Sequence, residues 1–194
     1  MDELEIIHHG RIPGLTSFFN TVDYRTPHFH QEWELMWLLD NPLMVSRGGG
    51  SFRAEKGSLL LFQPNEPHEL HMIDETCTFL CLQVSPELLR LENDLVTEDV
   101  LLNPYLGDKA AGIRSALLEI ADAYLSREPY SALLCIGRTF LMFHQILGSI
   151  PVRAITREER ISQEKRNKRL TSLIRFVDEN YMHKIRLSDF AEAE

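Results

Sequence analysis

His28, His30, Glu34 and His68 are the residues of this 194-residue chain whose types and spacing can do chemistry. His28 and His30 stand at i and i+2, and Glu34 keeps their parity. On a strand, alternate side chains point to one face, so a second strand carrying His68 would complete a cluster. Three imidazoles and one carboxylate suit a divalent metal (Zn, Ni, Fe or Mn) with one or two positions left open. The same groups can instead hydrogen-bond to an organic ligand or to each other, and a half-buried strand with a wet polar face has the same alternation. Glu32 takes the place of Glu34 if a bulge shifts the register. Trp37 is a further candidate ligand contact, an aromatic platform for a sugar ring, although Trp33 and Trp37 can equally pack beneath helices. His71 reads as a rim residue, and His8 and His9 as residues of an N-terminal arm.

The elements that must position these groups are strands. From His28 to Leu39 the residues alternate, with Phe29, Trp33, Leu35, Trp37 and Leu39 on one face and His28, His30, Glu32, Glu34, Met36 and Leu38 on the other. Asp40-Asn41-Pro42 is a turn, Leu43-Met44-Val45 a short strand and Gly48-Gly49-Gly50 a hairpin turn. Ser51 to Glu55 pairs back, and Lys56-Gly57 turns again. Ser58 to Phe62 reads as a fully buried strand ended by Pro64. His68 to Met72 is extended, and Thr76 to Val84 carries Cys77, Phe79 and Cys81 on one face. Before His28, the arm has weak strand character at Leu4–Ile7 and Leu15–Val22. Short strands separated this often by turns predict an antiparallel barrel or sandwich.

The second half turns helical. Ser85 can cap a short helix with Pro86 at its first position, running to about Asn93. Asn103-Pro104 and Gly107 mark a loop. A helix from Asp108 carries Ile113, Leu117, Ile120, Ala121 and Tyr124 at 3–4 spacing, and Glu128-Pro129 breaks it. A second, from about Tyr130 to Leu147, carries Leu133, Leu134, Phe140, Leu141, His144 and Leu147, with Gly148 and Pro151 ending it. His144 on that stripe reads as a core histidine. Together the two make an antiparallel helical hairpin.

The 44% apolar and 25% charged composition is that of a globular protein. Met1-Asp2-Glu3 opens no secretory signal. The apolar stretch Ser131 to Ile150 contains Arg138, His144 and Gln145, which favours a buried helix over a membrane span. Three cysteines without CxxC spacing predict free thiols in a reducing, cytoplasmic setting. A net charge of −9 argues against nucleic-acid binding by this stretch of chain itself.

His28-x-His30-x3-Glu34 followed by Gly57-x6-Pro64-x3-His68 resembles the two cupin motifs. HFHQEWELMWLL, GSLLLFQPNEPHEL and FLCLQVSPELL are similar, more closely, to the sensor domain of AraC-family transcription regulators over about residues 15 to 90. One departure is the Asp40-Asn41-Pro42 turn, where that family usually has a glycine. IRFVDENYMHKIRLSDFAEAE resembles the start of that family's helix-turn-helix DNA-binding domain, with Ser188 able to cap a new helix. The resemblance implies a mainly β plus α fold: a cupin barrel (double-stranded β-helix, or jelly roll), the helical hairpin and the first helices of a truncated helix-turn-helix domain. It divides the chain into a barrel with arm at 1–92, a dimerisation hairpin at 93–150, a basic linker at 151–169 and the helix-turn-helix start at 170–194. It also implies a small-molecule effector, a homodimer through the hairpin and DNA binding only by a protein with the complete helix-turn-helix. In metal-holding cupins the positions of His28, His30, Glu34 and His68 are the ligands, whereas sensors of the AraC type generally work without metal.

Two functions of different class follow. One is the effector-sensing and dimerisation region of a transcription regulator, binding a metabolite such as a sugar, with no enzymatic activity. The other is a metal-dependent cupin enzyme, a dioxygenase or isomerase, using a His3Glu site.

Overall fold

Alternation along the strands, not local propensity, sets this architecture. The computed structural model describes residues 3–47, 50–89, 99–101, 110–126, 128–149, 152–154, 156–182 and 190. Before the helices come β1 (Glu3–Leu4), β2 (Leu15–Val22), β3 (Tyr24–Phe29), β4 (Trp33–Leu38), β5 (Leu43–Arg47), β6 (Gly50–Ala54), β7 (Leu59–Phe62), β8 (His68–Met72) and β9 (Cys77–Val84). They form a five-stranded sheet, β1-β3-β8-β5-β6, and a four-stranded sheet, β2-β9-β4-β7. Among the described residues, the ladders within these two sheets are antiparallel except β1 on β3.

Inward residues of both sheets meet in one core: Val22, Met36, Leu38, Leu43, Val45, Ala54, Leu60, Phe62, Leu70, Cys77, Phe79 and Cys81. Outward residues of the four-stranded sheet (Trp33, Leu35, Leu59, Leu61, Leu80, Leu82 and Val84) enter a second core with the helices. β7 is therefore buried on both faces, which explains why Leu59 to Phe62 is apolar without alternation. Lys56-Gly57 makes the preceding turn, with Gly57 at φ 82°.

The predicted single strand from His28 to Leu39 is two strands. β3 lies in one sheet and β4 in the other, with His30-Gln31-Glu32 turning the corner. The Asn65 amide donates to the His30 carbonyl at 2.7 Å and ties the β7–β8 loop to that corner. Asn65 does so at φ 61°, a region that asparagine tolerates better than most residues. Upstream, the β3–β8 register shifts between Arg25 and His28, where Pro27 supplies no N–H to the ladder. The described residues of the N-terminal arm are integral to the fold. β2 pairs with β9 along its full length, and Glu5 donates its amide to the Phe29 carbonyl at 2.9 Å.

Helix α1 (Pro86–Leu89) begins as its sequence predicts: the Leu88 amide donates to Ser85 Oγ at 3.2 Å. Residues 90–93 of that prediction, the Asn103–Gly107 loop, Gly48-Gly49, Pro151 and Ser188 lie outside the described residues. β10 (Asp99–Leu101) pairs with β11 (Val152–Ala154). α2 (Ala110–Leu125) buries Ile113, Leu117, Ile120 and Ala121, as its spacing predicts. α3 (Ser131–Ser149) is rotated from expectation. It buries Ser131, Cys135, Thr139, Met142, Phe143 and Ile146, and exposes Leu133, Leu134, Leu141 and His144. By length and composition α3 is apolar enough to cross a membrane, which left its periodicity unable to choose a face. Arg11 donates to the Ala123 and Ser126 carbonyls and to Ser131 Oγ, satisfying carbonyls at the end of α2 and bridging to the start of α3. Cys77, Cys81 and Cys135 are free and buried.

The chain divides at Arg153/Ala154. The second unit carries α4 (Arg157–Asn180), one helix that runs through the basic linker, whose composition also allows a helix, and on into the stretch after it. Residues 153–180 contain neither glycine nor proline and are rich in Arg and Glu, both good helix formers. Within this unit Phe176 and Phe190 meet edge to face, with centroids 5.6 Å apart.

Candidate functional site

Three of the four predicted ligands converge. One donor atom from each of His30, Glu34 and His68 lies within 4.8 Å of the others, and all three residues are buried. Glu34 Oε2 is 3.3 Å from His30 Nε2 and 3.2 Å from His68 Nε2. The corner after β3 supplies His30, β4 supplies Glu34 and the first residue of β8 supplies His68. Phe62 stacks on the His68 ring at 4.1 Å and 15°, and Arg47 lies over Phe62 while pairing with Glu66.

The imidazoles are oriented from behind. His30 Nδ1 donates to the Glu32 carbonyl at 3.1 Å, His68 Nδ1 to the Glu66 carbonyl at 2.9 Å and His28 Nδ1 to the Thr26 carbonyl at 2.8 Å. A carbonyl only accepts, so each Nδ1 carries a proton and each neutral ring keeps a lone pair on Nε2. Histidines that hold metals are fixed in this manner. His68 Nε2 is buried without a hydrogen-bond partner, facing a carboxylate oxygen. Two acceptors face to face in a buried site are relieved by a shared proton or by a cation. Two Nε2 atoms and one carboxylate oxygen, with further positions open, fit a divalent metal by donor type and by this orphaned atom.

Glu34 Oε1 has separate partners: it accepts from Cys81 Sγ at 3.1 Å and from Gln83 Nε2 at 3.2 Å. Burial works against the Glu34 charge, but close polar contact with the His30 and His68 imidazoles, and their charge, hold its carboxyl well below the usual range. For His30, burial opposes protonation, and the bond to Glu34 outweighs it and raises the imidazole above its ordinary value. Burial, reinforced by His68, lowers His28. Burial and the Glu34 charge push the Cys81 thiol well up.

His28 stands beside this group rather than in it. Its ring lies 4.2 Å from that of His68, and its Nε2 faces Glu5 Oε2 at 3.4 Å. Glu5 also pairs with Arg25 at 3.3 Å. Glu32 does not replace Glu34; it faces His9 Nε2 at 3.4 Å, and burial raises its carboxyl. Trp37 is not brought to the cluster. It keeps the parity of Trp33 and Leu35, which turns it to the helix side of the sheet, where Trp33 meets Phe143 edge to face at 5.8 Å. His71 is on the exposed side of β8 beside Tyr24.

Sequence reasoning missed Gln83, although it continues the parity of Cys77, Phe79 and Cys81. It also missed Glu5 and His9 as neighbours of the site. No local pattern announces that the N-terminal segment pairs with β3, which sets Glu5 beside His28.

The family model for the AraC-like ligand binding domain matches residues 16–134, more than half of the chain. The chain belongs to the AraC-like ligand binding domain family. The cluster thus lies within the ligand-binding domain, in a cupin-like β-sandwich with helices on one sheet. Among solved structures, the chain is similar to protein NMB1881 from Neisseria meningitidis at 17% identity, covering 42% of this chain and 81% of that one with a TM-score of 0.34. It is similar to a cupin-2 domain protein from Shewanella frigidimarina at 13% identity, covering 39% and 74% with a TM-score of 0.35. Oxalate decarboxylase from Bacillus subtilis, described with Mn(II) centres, is similar at 24% identity, covering 37% and 21% with a TM-score of 0.34. No curated protein matches the chain.

Proposed function

We propose that this AraC-like ligand binding domain is the effector-sensing and dimerisation region of a DNA-binding transcription regulator. A small metabolite, with sugars among the candidates, binds at the polar end of the barrel around His30, Glu34 and His68. The observation that carries this reading is the buried, unpartnered His68 Nε2 facing Glu34 Oε2. A Zn, Ni, Fe or Mn ion there would be held by His30 Nε2, His68 Nε2 and Glu34 Oε2. When bound, it supplies a Lewis acid that grips an oxygen or nitrogen of the effector.

The role proposed is binding rather than catalysis, in keeping with membership of a ligand-binding family; burial raises Cys77 to about 11 and Cys81 well above its ordinary value, so neither thiol is poised as a nucleophile. Leu133, Leu134 and Leu141, exposed along α3, support a homodimer through the helix pair. DNA contact belongs to a helix-turn-helix domain, whose start residues 170–194 resemble. Free, buried thiols at Cys77, Cys81 and Cys135 support a reducing, cytoplasmic setting. Effector binding acts on DNA only insofar as affinity differs between two arrangements of the dimer.

The test is to purify the chain from cells, measure its metal by elemental analysis and identify small molecules released on denaturation by mass spectrometry. A metal or metabolite retained by the wild type and absent from His68→Ala supports the reading. Nothing retained, and no metabolite bound on addition, contradicts it.

A further inference from the structure

Glu34 is the one carboxylate in the donor group, and its two oxygens keep different company. Oε2 faces the two imidazoles at 3.3 and 3.2 Å. Oε1 accepts from the Cys81 thiol at 3.1 Å and from the Gln83 amide at 3.2 Å. Both donors come from β9, which pairs with β4 so that Gln83 stands opposite Glu34 and Cys81 opposite Met36. Cys81 is 0% exposed and Gln83 4%, so water does not substitute for either.

We propose that Cys81 and Gln83 are positioning residues that pin Oε1 to the barrel wall, so that Glu34 offers Oε2 alone as a monodentate donor to a cation shared with His30 and His68. The inference rests on the metal reading of the site. A carboxylate without such restraint can turn about its last bond and chelate a cation through both oxygens, filling two coordination positions. Here that rotation breaks two buried hydrogen bonds and leaves a thiol and an amide unpartnered. The consequence is functional: two imidazoles and one carboxylate oxygen leave positions free for an incoming oxygen or nitrogen atom, whereas a chelating Glu34 closes one of them. β9 then does for the carboxylate what the backbone carbonyls of Glu32 and Glu66 do for the imidazoles.

The experiment titrates Co2+ into the metal-free wild type, Gln83→Met, Cys81→Ala and Cys81→Ser, following the visible absorption bands and the melting temperature. Gln83→Met keeps volume without a donor, and Cys81→Ser keeps a donor. Loss of either donor is expected to weaken Co2+ binding by about 10- to 100-fold. It also weakens the bands, because a second carboxylate oxygen raises the coordination number, and Cys81→Ser restores both. Wild-type affinity and bands in Gln83→Met and Cys81→Ala overturn the inference. So does a lower melting temperature with unchanged bands, which means the two bonds only stabilise the fold. A wild type with no Co2+ bands overturns the metal reading and this inference with it, and the wild-type arm alone reports that. Should Cys81→Ala fail to fold, Gln83→Met against the wild type decides the matter.

Discussion

At the scale of residues, a proton and the proposed metal would compete for one nitrogen. Glu34 draws a proton onto His30, whose imidazole is raised above 6.5, while the Glu34 carboxyl is held well below 4.5. In the metal-free protein the raised imidazole contributes stability that is full below pH 6.5 and lost as pH rises through its folded value. The depressed carboxyl contributes stability present above pH 4.5 and lost as pH falls through its folded value. The melting temperature of chelator-treated protein should therefore decline on the alkaline side, and this decline should shrink in His30→Gln. Metal must displace the His30 proton, so Mn2+ affinity measured by calorimetry should increase between about pH 6 and 8. His68→Ala should abolish metal retention, whereas His28→Ala, whose Nε2 faces Glu5, should lower affinity by less than about 10-fold. Equal losses in the two variants would restore His28 to the ligand set. Alternation made Glu34, His30 and His68 legible in the sequence. It could not separate His28, because the carboxylate that engages it is more than twenty residues away in the chain.

At the scale of elements, the site depends on the corner between β3 and β4. The Asn65 amide holds the His30 carbonyl while Asn65 sits at φ 61°. Asn65→Gly should be tolerated within a few tenths of a kcal/mol, and Asn65→Val should cost about 1–2 kcal/mol. That variant should also weaken ligand binding, since it disturbs His30 from behind. β7 is the wall of both cores, so Leu61→Ala should cost about 2–5 kcal/mol by denaturant midpoint with little change in slope. The strands and turns were largely legible, since period 2 and turn residues mark them directly. The corner was not, because alternation continues in phase across residues 30–32 while the chain changes sheets. The face of α3 was not legible for a related reason: leucines on its exposed side mimic a core stripe.

For the whole molecule, those exposed leucines are the surface on which the proposed dimer rests. Leu141 is 56% exposed, and Leu141→Glu should convert a dimer to a monomer by sedimentation without lowering thermal stability in the dilute limit. Unchanged sedimentation would move the interface elsewhere. The coarse family was legible from spacing and motif, whereas the effector was not, because imidazoles and a carboxylate serve sugars, acids and metals alike. The most direct test is a thermal-shift screen of divalent metals, sugars and small carboxylates on the wild type and His68→Ala side by side. At least one compound should raise the wild-type melting temperature with concentration and leave His68→Ala unmoved. Equal shifts in both proteins, or no shift by any compound, would contradict a sensing site at His30, Glu34 and His68.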